Sequence, residues 1–161
     1  MRFKNWKWTL LIILIILLDQ AVKLLVINNL SPSDSITVIP NVLSFIYVKN
    51  TGAAFSIFSD KTAVLGIISV LFCAVVTAYW CVKKPQSKML KLAFSLLLAG
   101  AFGNAVDRIA RGFVVDFIET TFIKFPVFNI ADISITFGTV FLMIYLLFFD
   151  KDGNKNGENS N

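Results

Sequence analysis

The chain has 161 residues, 57% of them apolar, with 16 phenylalanines, a formal net charge of +5 and no histidine. So greasy a balance excludes a soluble domain of this size and describes an integral membrane protein. The missing histidine removes Ser/His/Asp triads, Cys/His dyads and His-ligated zinc, leaving hydrolysis to carboxylates, lysine, hydroxyls or a hard metal.

Four stretches approach the roughly 20 apolar residues that a helix needs to cross a bilayer: Thr9 to Ile27, Thr62 to Val82, Met89 to Val106 and Ile130 to Phe149. The first starts like a secretory signal peptide, but Asp19 interrupts its apolar run and no small-x-small cleavage site follows, so an uncleaved first helix is expected. Between spans one and two, Ser35 to Val38 and Leu43 to Val48 are rich in Ile, Val, Phe and Tyr and are separated by Pro40 and Asn41, which predicts a small β-hairpin. The segment N-T-G-A-A-F at Asn50 to Phe55 follows, where the small residues around Gly52 let a backbone approach a ligand; an ordinary Asn-Thr-Gly turn explains it equally well.

Cys73 and Cys81, eight residues apart in span two, read as small buried apolar residues, too far apart on a helix for a disulfide. After span three, G-F-V-V-D-F at Gly112 to Phe117 sets Asp116 among bulky apolar side chains. Asn129 and Asp132 open span four. Residues 1–149 therefore read as one membrane domain, and the polar Gly/Asn-rich segment from Asp150 to Asn161 as a disordered tail.

The basic residues form no nucleic-acid patch. Arg2, Lys4 and Lys7 precede span one, Lys83, Lys84, Lys88 and Lys91 join spans two and three, and Lys151 and Lys155 follow span four. The positive-inside rule then puts both termini in the cytoplasm and the two other connections outside. On that orientation Asp19, Lys23, Asn104, Asp107, Arg108, Asn129 and Asp132 converge on one outward level. Charges inside a bilayer are expensive, so a functional site is the default reading; ion pairs of Asp19 with Lys23 and of Asp107 with Arg108 are the plainer one.

Asp116 and Asp132 are the leading candidates for chemistry. Apolar surroundings and a second carboxylate both disfavour ionisation, so the pair is expected to hold one proton between them and to serve as acid and base together. Asn104 and Asn129 could donate to the pair or to substrate, and helix capping competes for Asn129.

Five blocks together resemble the lipoprotein signal peptidase (type II signal peptidase) family: D-Q-A-V-K at Asp19 to Lys23, N-T-G-A-A-F at Asn50 to Phe55, G-N-A-V-D-R at Gly103 to Arg108, V-V-D-F at Val114 to Phe117, and F-N-I-A-D at Phe128 to Asp132. Ala99 and Phe125 stand where the family often has glycine and tryptophan. The resemblance implies an α-helical integral membrane protein with four transmembrane helices and a small extracytoplasmic sheet capping them. It also implies an aspartic endopeptidase of the bacterial cytoplasmic membrane, without metal or organic cofactor, whose catalytic residues are Asp116 and Asp132. The implied substrate is a diacylglyceryl-modified prolipoprotein, cut on the amino side of its lipid-modified cysteine near the extracytoplasmic face. Asp19, Lys23, Asn50, Gly52, Phe55, Asn104, Asp107, Arg108 and Asn129 are expected to organise the site or touch substrate. Phe55, Phe117 and Phe128 are expected to wall a groove for the lipid chains, and no oligomer is predicted.

Three alternatives compete. A small proton-coupled transporter or channel subunit also carries intramembrane charges, but at several depths. A Ser/Lys peptidase would use Ser56 or Ser59 with Lys61. A carboxylate-held Mg²⁺ would need the same aspartates.

Overall fold

The structure is a computed structural model and describes residues 5–52 and 61–149. Its elements in chain order are α1 (Trp6–Asn29), β1 (Ser35–Ile39), β2 (Leu43–Asn50), α2 (Thr62–Lys83), α3 (Lys88–Arg111), β3 (Val114–Thr120) and α4 (Ile130–Phe148). All four helices are long and apolar enough to cross a membrane, as the sequence predicts.

Polarity is inverted relative to a soluble bundle. On α1 the buried residues are Asp19, Lys23 and Val26, which share one face, while Leu14, Leu17, Leu18 and Leu25 stand outward. Such a helix is stable only where the outside is apolar. The α2 helix is similarly lipid-facing, and Cys81 is exposed on its surface rather than buried as the sequence suggests. It ends at Lys84 in the left-handed conformation, followed by Pro85, which cannot continue it.

The α3 helix is the hub, packing on α1, α2 and α4. Ser87 caps its start by accepting from the Leu90 amide, and Gly112, at φ +77°, lets the chain leave its end. Its buried face is built of Ala93, Ala99, Gly100, Ala101, Gly103 and Ala105, small residues that allow close backbone approach. A Cβ on Gly100 would collide with the Ala131 carbonyl oxygen at the start of α4. Gly100→Ala is therefore expected to cost about 1–3 kcal/mol and to lower the melting temperature in detergent; an unchanged melt would show that the helices have room to part.

The strands form a three-stranded antiparallel sheet in the order β1-β2-β3. The predicted hairpin supplies β1 and β2, with Asn41 at φ 59° in its turn. The third strand lies in what the sequence reading leaves as plain loop. The β3 strand shows no buried/exposed alternation: Val114, Val115, Asp116 and Phe117 are all buried, because one face meets the cavity while the other meets α1, and β2 covers one edge. Its free edge bonds Phe128, whose carbonyl accepts from the Phe117 and Ile118 amides, and this bridge brings the start of α4 to β3.

Candidate active site

The end of α3, the start of α4, strand β3 and the buried face of α1 meet around one hydrogen-bonded cluster. Lys23 lies at its base, fully buried, with its ammonium 2.9 Å from Asp19, 2.9 Å from Asp107 and 3.0 Å from Asn104 Oδ1. An ammonium has three donors and no acceptor, so all three are used. The two anions do more than balance charge. Asp19 Oδ1 accepts from the Ala131 amide at 3.0 Å, tying α4 to α1, and Asp107 Oδ2 accepts from the Val115 amide at 3.1 Å, tying β3 to α3.

The expected pair of Asp107 with Arg108 does not form. Neighbours on a helix diverge by about 100°, so Asp107 points inward to Lys23 and to Arg111, one turn on, while Arg108 turns toward the cavity. There its Nη2 donates to the Gly52 carbonyl at 3.3 Å, and its buried Nε has no partner.

Above the lysine, two asparagines hold two aspartates. Because Lys23 can only donate, Asn104 must face it with Oδ1, which turns its Nδ2 onto Asp132 Oδ1 at 2.8 Å. Asn129 caps α4 in full: its Oδ1 accepts from the Asp132 amide at 2.9 Å and its own amide donates to Asp132 Oδ2 at 3.1 Å. With Oδ1 committed to the cap, its Nδ2 is left to donate to Asp116 Oδ1 at 2.7 Å. The capping and site-forming readings of Asn129 are thus two halves of one side-chain amide, and the residue links the two carboxylates through its Nδ2 on Asp116 and its backbone N–H on Asp132.

Asn50 completes the cluster. It pairs with Val114 across the sheet, so it sits diagonal to Asp116 on the same face, and its Nδ2 donates to Asp116 Oδ2 at 2.8 Å. Its Oδ1 accepts from the Gly52 amide at 2.9 Å, which is the ordinary Asn-Thr-Gly turn; here too the turn and the site share one side chain.

Asp116 is 2% exposed, and its carboxyl is pushed up to about 6. Burial is the largest cause and the charge of Asp132 the next; the bonds from Asn50 and Asn129 and the charge of Lys23 oppose them. Asp132 is half-buried, at the first turn of α4.

Both aspartates line a cavity of about 690 Å³, with Asn50, Asn104 and Arg108 at its polar end and Phe125, Phe128 and Phe137 among its apolar walls. Phe128 is where the sequence places it, whereas Phe117 is not: adjacent strand residues face opposite ways, and Phe117 packs with Val26, Tyr47 and Val115 behind the site. Phe55, with Ser56 and Ser59, lies outside the described residues, and Lys61 is exposed. The sequence reading also passes over Gln20 and Arg111, which join the cluster through Asp107. Gln20 follows Asp19 directly, and Arg111 lies i+4 from Asp107, a spacing that signals a helical ion pair.

Comparison with known proteins gives a consistent picture. A family model described as signal peptidase (SPase) II matches residues 11–148. A lipoprotein signal peptidase of Clostridioides difficile is 41% identical over 143 residues, covering 89% of this chain and 96% of that protein. One from Clostridium tetani is 40% identical over 141 residues, covering 86% and 90%. A solved structure described as a bacterial membrane enzyme superposes with a TM-score of 0.86 at 32% identity, over 99% of this chain and 94% of that one.

Proposed function

The chain belongs to the signal peptidase II family of aspartic peptidases, and from that premise we propose that Asp116 and Asp132 are its catalytic pair, hydrolysing one peptide bond of a diacylglyceryl-modified prolipoprotein. The family supports cleavage of signal peptides from lipoproteins by a multi-pass membrane hydrolase. The observation that carries the finer reading is that Asn129 binds both carboxylates at the polar end of a cavity whose remaining walls are largely apolar.

In this reading Asp116, the more buried of the two, holds the resting proton, and Asp132, at the N-terminus of α4, is the base. Water held between them loses a proton to Asp132 while its oxygen attacks the scissile carbonyl carbon. Asp116 holds the carbonyl oxygen by a hydrogen bond, stabilising the oxyanion, and the tetrahedral intermediate then collapses. The C–N bond on the amino side of the lipid-modified cysteine breaks, and its nitrogen takes the proton of Asp116 while Asp132 keeps the one it took from water. Water is consumed, the pair keeps one proton, and no acyl-enzyme forms. Arg108, which lines the cavity, and the Asn50/Gly52 turn bind the substrate backbone. The apolar walls take the lipid chains, and the site lies near the extracytoplasmic face with both termini inside, a placement that the lysine-rich connections support.

A transporter would place charges at successive depths, whereas among the described residues the buried ones other than Lys91 gather at this single level. The test is cleavage in detergent with EDTA present. A diacylglyceryl-modified prolipoprotein is expected to be cut, with mass spectrometry showing the lipid-modified cysteine as the new N-terminus, while the unmodified precursor persists. Activity that disappears in EDTA and returns with Mg²⁺ would replace the proton-sharing pair by a carboxylate-held metal.

A further inference from the structure

Arg111 stands at the outer end of α3, does not line the cavity, and lies outside the five sequence blocks. It is nevertheless built into the cluster. Its Nη1 donates to Asp107 Oδ1 and, at 3.0 Å, to Gln20 Oε1. Gln20 in turn donates, each at 3.2 Å, to Asp19 Oδ2, to Asp107 Oδ1 and to the Gly103 carbonyl. One residue on α1 therefore holds the arginine in place while bracing both anions.

The charge arithmetic gives this arrangement a consequence. Asp19 and Asp107 are buried anions, and Lys23 and Arg111 are the two cations in contact with them, so the quartet is neutral. Without Arg111 it carries one uncompensated negative charge, and Asp107, fully buried, has Lys23 as its remaining counter-ion. Lys23 is also the group that fixes Asn104, and Asn104 holds Asp132. A more negative base beneath the pair, with its lysine drawn toward Asp107, makes proton loss from the pair harder.

We propose that Arg111 is a positioning residue for hydrolysis: by neutralising Asp107 through a contact locked by Gln20, it leaves Lys23 shared with Asn104 and sets the pH range in which the Asp116/Asp132 pair holds its single proton. The proposal rests on the reading of that pair as catalytic. Among the described residues, the charged groups facing the cluster are Asp19 and Lys23 from α1, Lys49 from β2, Asp107, Arg108 and Arg111 from α3, Asp116 from β3 and Asp132 from α4. Of these, Arg111 contacts neither carboxylate of the pair nor the cavity, so a change in its charge acts at a distance.

The experiment is kcat/KM against pH at fixed ionic strength for wild type, Arg111→Gln, Arg111→Lys and Gln20→Glu, each with a melting curve in detergent. Arg111→Gln is expected to move both limbs of the profile about 0.5 pH unit to the alkaline side. Arg111→Lys keeps the charge and returns the limbs to their wild-type positions. Gln20→Glu keeps Arg111 and adds an anion to the same cluster, so it is expected to shift the profile the same way, which keeps the test open if Arg111→Gln does not fold. A folded Arg111→Gln or Gln20→Glu enzyme whose limbs superimpose on wild type, even with lowered activity or melting temperature, overturns the proposal, as does a shift in Arg111→Lys as large as in Arg111→Gln. Asp116→Asn and Asp132→Asn are assayed alongside. If either keeps near-normal turnover the catalytic pair itself falls, whereas inactive aspartate variants beside an unshifted Arg111→Gln sink this inference alone.

Discussion

Asp116→Asn and Asp132→Asn are each expected to lower kcat/KM for the lipid-modified precursor by on the order of 10³–10⁴-fold, with the protein still folded. The magnitude follows from the division of labour in the pair. An amide at 132 cannot accept the proton of the attacking water, and an amide at 116 cannot deliver one to the leaving nitrogen. Neither change empties space, because Asn and Asp are nearly isosteric. At 116 two effects on stability oppose each other. Above about pH 6 the substitution spares the cost of ionising a buried carboxyl, but Asn50 Nδ2 and Asn129 Nδ2 both donate to this side chain, and an asparagine there can accept from only one of them at its single oxygen. Melting curves for the two variants should therefore stay close to wild type while turnover collapses. Near-normal turnover in either would make that aspartate structural.

The same pair fixes a pH dependence. In the proposed mechanism activity requires one proton on the two carboxyls, so it is expected to fall in acid as the second proton binds and in alkali as the last one leaves. With the Asp116 carboxyl pushed up to about 6, the alkaline limb is expected at or above that value, well beyond the ordinary carboxylate range. The limbs belong to the pair rather than to either residue. A kcat/KM profile that stays flat from pH 5 to 8, in an enzyme whose chemistry limits the rate, would contradict proton sharing.

What the sequence disclosed and what it hid have physical reasons. The membrane writes long apolar runs, so all four helices are legible, and Thr62 and Ile130 are read as helix starts to the residue. The β1/β2 hairpin is legible through Pro40, Asn41 and the β-branched residues around them. Strand β3 is not, because burial of both faces erases the alternation that marks a strand and leaves Val114 to Phe117 looking like an apolar loop around an acid. Side-chain pairing is the poorest guess: Asp107 next to Arg108 suggests an ion pair that helix geometry forbids, while the true partner, Arg111, sits a turn away. The convergence of Asp116 and Asp132 on one asparagine was inferable as a neighbourhood from span order, but the geometry depends on β3 and its bridge to Phe128.

Asn129 offers the second large effect, since its two roles can be pulled apart. Asn129→Ser keeps an oxygen able to accept from the Asp132 amide and so keeps the cap, but it loses the Nδ2 that holds Asp116. It is expected to melt near wild type and to lose about 10²-fold in kcat, the scale of one misplaced catalytic group. Asn129→Ala loses the cap as well, and should add a stability cost of about 1 kcal/mol to a similar loss of activity. Asn129→Asp keeps the cap but places a third carboxylate where a donor is needed. Asp116 would then face a negative oxygen in place of an N–H, so its proton is held more tightly and what activity remains moves to higher pH. If Asn129→Ser turns over as fast as wild type, the bond to Asp116 is incidental and Asn129 is a helix cap only. If serine and alanine lose activity equally while only alanine loses stability, the Nδ2 donor is what catalysis needs. The start of α4 then serves both purposes, its cap setting the amide orientation that holds the acid of the pair against its base.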